Sequence, residues 1–262
     1  MSWPSGKTAV AAFTFDFDAE EVWIGEDPEN ADRPGILSQG TYGAKVGVPL
    51  ILDVLQRNDI RATFFVPGRV AERHPDRVRQ IVDAGHELAH HGYTHRSPTM
   101  FDADEEETEL VKGREVLESF GAPVTGYRSP AWDFSANTLG LLEKHGFAYS
   151  SNLMDDIRPY VHERTSVVEL PVQWILVDAP HFWFDPSSWD KKISTVEEVG
   201  SIWTSEFDGI RELEGACIFT MHPQVSGRPG RIPLLQSTID HVRKRDDVWI
   251  ATCSEIAEAS RP

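Results

Sequence analysis

Short runs rich in β-branched and aromatic residues alternate along this chain with amphipathic stretches of helical period. The pattern predicts strands at 9–17, 61–66, 87–91, 124–128, 148–151, 167–172, 216–221 and 248–252. Between them it predicts helices at 48–57, 76–84, 104–120, 136–145, 196–213 and 233–243. Pro75 before Asp76, Ser135 ahead of Leu139, and Thr195 ahead of Glu197 and Glu198 mark helix starts. Gly85, Gly121, Gly146 and Gly215 fall where helices should stop. Strands that alternate with helices pair in parallel through helical crossovers, and seven or eight such units suit a (β/α) barrel better than an open sheet. The first strand agrees. Val10, Ala12, Thr14, Asp16 and Asp18 share one face, small and polar enough for a narrow lumen. Phe13, Phe15 and Phe17 share the other and suit a layer of packed helices.

Two connections, 20–47 and 176–194, are long for a compact domain; structureless loops of that length are usually functional. The second carries Phe182, Trp183, Phe184 and Trp189, which suit a pocket wall, an interface or core. No linker, repeat or low-complexity segment divides the chain, and 1–262 reads as a single catalytic domain.

Composition narrows the partners. The chain is 40% hydrophobic and 26% charged, with a formal net charge of −17, a field that repels nucleic acid and anionic membrane. Cys217 and Cys253 stand in separate apolar runs without Cys-x-x-Cys spacing, as buried thiols in a reducing compartment would. The first residues lack a basic start, a long apolar run and a small-residue cleavage site, and no run approaches the roughly 18 apolar residues that span a bilayer. The expectation is a cytoplasmic protein.

Four polar clusters each follow a predicted strand: Asp16-Phe17-Asp18, His91-Gly92-Tyr93-Thr94-His95, Arg128-Ser129-Pro130-Ala131-Trp132 and His222-Pro223-Gln224. In a parallel barrel these strand ends lie on one face, where active sites are built. Singly, each has a plainer explanation: an Asp pair that caps a loop, an arginine that pairs with a surface carboxylate, tryptophans in a core. Two histidines at i, i+4 can share a metal from a helical turn, yet His86 and His90 have the same spacing as His91 and His95. Periodicity does not choose between the pairs. It says only that, on a strand, His86 and His90 point to one side and His91 to the other.

Taken together and in order, Thr14-Phe15-Asp16, Gly85-His86-Glu87, His91-Gly92-Tyr93-Thr94-His95, Arg128-x-Pro130-x-Trp132 and His222 resemble the polysaccharide deacetylase pattern (NodB homology, carbohydrate esterase family 4) over roughly 8–225. Phe17 between the two aspartates departs from the family's adjacent pair. With Tyr42-Gly43-Ala44-Lys45-Val46-Gly47, Leu170-Pro171-x-x-Trp174 and His222-Pro223-Gln224, it resembles an offshoot holding peptidoglycan-deacetylase-like, cyclic-imide-hydrolase and allantoinase-like proteins. The resemblance implies a distorted barrel and hydrolysis of non-peptide amide bonds. It implies Asp18, His91 and His95 as ligands of one divalent metal, zinc first, with cobalt, manganese or iron suited to the same donors. Asp16 becomes the general base, Arg128 its orienting partner and His222 the general acid. Trp132 and Trp174 line the pocket, and Asp178 tunes the site or touches substrate. It also implies a homo-oligomer, a tetramer among the options.

The expected substrate is a small amide, imide or N-acetylated sugar, because no export signal or carbohydrate-binding module is visible and the two long connections can close over the strand ends. Cyclic imide or cyclic amide hydrolysis is the nearest alternative. A non-haem iron oxygenase would use the same Asp and two histidines but leaves Asp16, Arg128 and His222 idle; an inert binding protein leaves all of them idle.

Overall fold

The computed structural model describes residues 3–184 and 192–261. Trp189 lies outside the described residues, so the roles considered for it are not taken further. Nine strands form one sheet: β1 (Ala9–Asp16), β2 (Thr63–Val66), β3 (Glu87–His90), β4 (Gly126–Tyr127), β5 (Tyr149–Ser150), β6 (Tyr160–Val161), β7 (Val168–Glu169), β8 (Ala216–Met221) and β9 (Val248–Ile250). Their order is β6-β7-β5-β4-β3-β2-β1-β8, and only the β6–β7 pair is antiparallel. β8 takes one edge of β1 over Val10–Phe15; β2 pairs with the last residues of β1 and β9 with the first. The sheet curls toward closure without completing a full ladder. A single parallel bridge joins Val177 to Thr220 of β8, and Ala216 N–H donates to the Ile157 carbonyl (2.8 Å). This is the distorted (β/α) barrel, with seven strands on its parallel path and β9 beside them.

The two faces of β1 behave as their residue types require. Every residue of β1 is buried. Phe13, Phe15 and Phe17 join the layer between sheet and helices, with Val48, Ile51, Leu55, Trp203 and Phe207. Phe13 stacks on Phe219 (5.4 Å between centroids) and Phe15 on Phe64 (4.8 Å). Each such ring contributes on the order of 2–3 kcal/mol through burial. Val10 and Ala12 instead meet Phe65, Ala89, Tyr149 and Leu170 inside the barrel.

Helices Val48–Arg57 and Val196–Glu212 match the periodic pattern, and Thr195 closes a capping box with Glu198 on the second. Elsewhere the expectations need correction. Segment 20–47 is not a structureless loop: it folds as Glu21–Glu26, Pro28–Asp32, Pro34–Tyr42 and a π-turn at Gly43–Gly47. Glycine at 47 is required there, since a Cβ would lie 2.2 Å from the Pro223 carbonyl oxygen. The motif around Tyr42–Gly47 thus seats the chain that leaves β8 at His222. The helix expected from 136 begins at Thr138, because Ser135 Oγ accepts from Asn137 N–H (2.9 Å) in the turn before it. At the end of Val196–Glu212 the left-handed residue is Glu214 (φ 57°) and not Gly215, which instead lets the backbone approach Ile157. Helices Gly68–Arg73 and Cys253–Ala259 and the edge strand β6 lack a pattern strong enough to foresee. Cys217 and Cys253 are buried free thiols. No helix among the described residues is long and apolar enough to cross a membrane.

Candidate active site

Parallel strands point their C-terminal ends the same way, so the four polar clusters meet at one mouth of the barrel. There they line a pocket of about 250 Å³ with Asp16, Asp18, His91, His95, Trp132, Trp174 and His222 in its wall.

β1 runs out into Asp16, Phe17 and Asp18. Asp16 is clamped by Arg128, whose Nη1 donates to Oδ1 (2.7 Å) and to Thr14 Oγ1 (2.9 Å). The guanidinium is fully buried over the Phe65 ring and also donates to the Ser151 carbonyl and hydroxyl. Burial would raise the Asp16 carboxyl, but Arg128, assisted by His91 and His222, outweighs it and holds the group ionised below its ordinary range.

Asp18 has no such clamp. Its Oδ1 is buried without a hydrogen-bond partner, 3.4 Å from His91 Nε2 and 3.5 Å from His95 Nε2. Burial first, then the nearby Asp16 and Asp178 charges, push the carboxyl up to about 8 despite the opposing pull of His222. His91 Nδ1 lies 2.8 Å from the Arg128 carbonyl oxygen. A carbonyl only accepts, so Nδ1 carries the proton and Nε2 presents a lone pair to Asp18. Burial also holds His91 (down to about 4) and His95 in the neutral form. A buried carboxylate and two neutral imidazoles with converging lone pairs are a donor set for a divalent cation. Among the described residues they are the one group of three potential ligands that converges, with ligand atoms within 4.8 Å of one another.

The two histidines that converge on Asp18 do not come from a helical turn. His91 follows β3, and the chain returns through left-handed Gly92 (φ 77°) and left-handed His95 (φ 54°). Non-glycine residues occupy that region at a cost of roughly 1–2 kcal/mol, so surrounding contacts must fix it. Glu109 does so by accepting from Thr94 N–H (2.9 Å) and Thr94 Oγ1 (2.8 Å). Gly25 lets the Glu21–Glu26 helix sit against the same loop: a Cβ there would be 2.6 Å from the His95 carbonyl oxygen.

His222 leaves β8 facing Asp18, with its Nε2 3.7 Å from Asp18 Oδ2. Its Nδ1 donates to Asp178 Oδ1 (2.6 Å), and Asp178 Oδ2 accepts from the His222 backbone N–H and from Ser226 Oγ. Burial disfavours the imidazolium, but Asp178 more than offsets that and raises His222 well above its ordinary value. Asp178 is fully buried. Both of its oxygens are taken up by His222 and Ser226, an arrangement suited to tuning His222.

The rest of the pocket is aromatic. Trp132 and Trp174 stack at 4.5 Å, and Ala131 (φ 59°) and Trp132 (φ 56°) are both left-handed to turn the Trp132 ring inward. Trp174 is 48% exposed, so it forms the rim and not the core. Val22 and Trp183 also line the pocket, one from each long connection, while Phe182 is core. Val22 carried no signal in the sequence; Trp183 was one of several aromatics without a means of choosing among them.

The chain is similar to known proteins in both sequence and fold. A family profile described as "Polysaccharide deacetylase" matches residues 40–150. The chain is 33% identical over 284 aligned positions to the peptidoglycan deacetylase of Helicobacter pylori, covering 96% of each. Among solved structures it resembles a Mycobacterium smegmatis protein described as a polysaccharide deacetylase (TM-score 0.95, 45% identity, covering 99% of this chain and 92% of that one). An allantoinase shares the fold at 21% identity (TM-score 0.86, covering 98% and 91%).

Proposed function

This chain belongs to the polysaccharide deacetylase family, and from that premise we propose that it is a metal-dependent hydrolase of amide bonds in small N-acyl compounds, with zinc at Asp18, His91 and His95. The observation that carries the reading is the unpartnered Asp18 Oδ1 between two imidazole lone pairs, set between a clamped carboxylate and a clamped imidazole. When bound, the metal acidifies a water and polarises the substrate carbonyl. Asp16, kept ionised by Arg128, takes the proton of the attacking water. His222, kept protonated by Asp178, delivers a proton to the departing amine, which is a poor leaving group without it. An oxygenase or an inert binder would have no use for either clamp.

The substrate is small because both long connections contribute to the pocket wall: Val22 from one, Val177, Ala179 and Trp183 from the other. A pocket of about 250 Å³ has room for a monomer or a short acyl compound, whereas a polymer needs an extended groove. The stacked tryptophan wall also favours a second reading, hydrolysis of a planar cyclic imide or cyclic amide. The reading includes a cytoplasmic location and a homo-oligomer, a tetramer; exposed Trp174 and Ile175 at the rim and exposed Ile193 offer apolar surface for it. Light scattering at micromolar concentration tests the assembly, and a monomer removes it.

A panel assay with zinc or cobalt tests the activity, comparing peptidoglycan and chitin oligomers with N-acetylated monomers, succinimide, hydantoin and allantoin. Turnover of small N-acetyl compounds is the expected result. Efficient acetate release from polymers alone overturns the small-substrate reading, and turnover of the rings alone selects the second.

A further inference from the structure

Beside the catalytic pocket lies a second cleft, about 470 Å³ in volume, that no step above uses. Trp183 is a wall of both spaces, and Trp23 stacks on it (5.2 Å between centroids) on the cleft side. Gln224, also in the cleft wall, reaches back toward Asp18 (Nε2 to Oδ2, 3.5 Å). The two spaces are therefore neighbours within one site region.

Arg228 and Arg231 face this cleft. Arg228 lies flat over the Tyr42 ring (3.7 Å) and donates through Nε to the Gln224 carbonyl. Arg231 lies over Phe182 (4.9 Å) and donates through Nη1 to the Val225 carbonyl. Neither pairs with a carboxylate among the described residues. In a chain with 42 acidic and 25 basic side chains, two half-buried guanidiniums with no carboxylate in direct contact among the described residues are out of keeping with the surface. Burial lowers the Arg231 pKa and the Arg228 charge adds to that, against the pull of buried Asp178, whose own oxygens are engaged by His222 and Ser226. Aromatic packing and carbonyl contacts hold both side chains in place and leave other N–H groups to bind. A rigid guanidinium fork is the side chain best matched to carboxylate or phosphate oxygens.

We propose that Arg228 and Arg231 form an oxyanion subsite that binds an acidic substituent, carboxylate or phosphate, of the substrate whose amide lies at Asp16, Asp18 and His222. The inference rests on the small-amide reading above and narrows it to N-acyl compounds that carry an acid group.

The test uses the full chain loaded with zinc and three matched probes: N-acetylglucosamine, its 6-phosphate and N-acetylmuramic acid. Inorganic phosphate binding, measured by calorimetry, supplies a readout that does not depend on turnover. The expected result is a KM at least about tenfold lower for an acid-bearing probe than for the neutral one, since a charge-assisted bidentate pair is worth roughly 1.5–3 kcal/mol. Which acid-bearing probe gains names the source of the charge. In the Arg228→Gln/Arg231→Gln variant the KM ratio should fall toward one and phosphate binding should vanish, while Arg228→Lys/Arg231→Lys should keep part of both. Equal melting temperatures of the variants separate this from unfolding. If none of the probes is hydrolysed yet phosphate binds and is lost in the glutamine variant, the subsite stands and the small-amide reading falls for these probes. Phosphate that binds the native and glutamine-variant chains equally, or fails to bind either, overturns the subsite.

Discussion

His86 and His90 share their spacing and their depressed basicity with His91 and His95, yet the ring nitrogens of the two pairs are engaged differently. Burial lowers His86 to about 4, His90 to about 3 and His91 to about 4, and it also depresses His95, so protonation does not distinguish them. The difference lies in where the ring nitrogens point. His86 Nδ1 accepts from Ala62 N–H (3.2 Å). His90 Nδ1 accepts from Gly92 N–H (3.0 Å), so its Nε2 carries the proton and donates to the Leu110 carbonyl (3.0 Å). His90 has nothing left over. His91 spends only its Nδ1 proton, on the Arg128 carbonyl, and keeps a lone pair aimed at Asp18. A histidine that ties backbone together and one with a nitrogen free to face Asp18 are separated by their place along the chain and by which nitrogen the backbone takes.

The largest effect should come from breaking the group of Asp18, His91 and His95. In Asp18→Ala or His95→Ala, elemental analysis should find metal falling from about one equivalent to almost none, and turnover should fall at least ~10³-fold with it. His86→Gln should keep its metal. Full occupancy in His95→Ala would mean that the comparison has been drawn the wrong way round.

Asp16→Asn asks whether the inner face handles protons as well as metal. Turnover should drop by about 10²–10⁴ with metal content unchanged, because the amide cannot accept the proton that the Arg128-clamped carboxylate accepts. Loss of metal together with activity would move Asp16 into the ligand set.

His222→Ala should separate substrates by leaving group. Amides should lose roughly 10²-fold or more, while activated esters, whose leaving groups need no proton, should lose on the order of tenfold or less. Equal losses on both would remove His222 as the acid.

The smallest effect belongs to His86 and to stability. Folded His86 resists protonation down to about 4, whereas in the unfolded chain it protonates near 6.5. Its contribution is therefore fully present above pH 6.5 and is lost as pH falls toward 4. Between pH 7 and pH 5 this histidine should cost about 1–2 kcal/mol of unfolding free energy in denaturant titrations. His86→Gln should flatten that part of the profile, and an unchanged slope would show that His86 is not the group responsible.

The sequence by itself determined the alternation of strands and helices, the two faces of β1 and the set of side chains at the strand ends. Those follow from periodicity: a period of two puts Phe13, Phe15 and Phe17 opposite Thr14, Asp16 and Asp18 whatever else the chain does. Helix 48–57 was legible because its apolar face is strong. Segment 20–47 was not, because its short helices are glycine-rich and polar, and they form where they can pack on the chain leaving β8 and on the loop at His95. Strands β4, β5 and β7 are shorter than their apolar runs, since pairing ends where the sheet curls away from its neighbours. Only the tertiary structure brought His91 and His95, and not His86 and His90, up to Asp18, and it fixed Asp178 as the hydrogen-bond partner of His222. Those choices depend on which carbonyl, amide or carboxylate lies within hydrogen-bond reach of a given nitrogen. Arg128 stands 37 residues beyond His91 and Asp178 stands 44 before His222. Separations of that kind leave no periodic trace in the chain and become contacts only when the barrel closes.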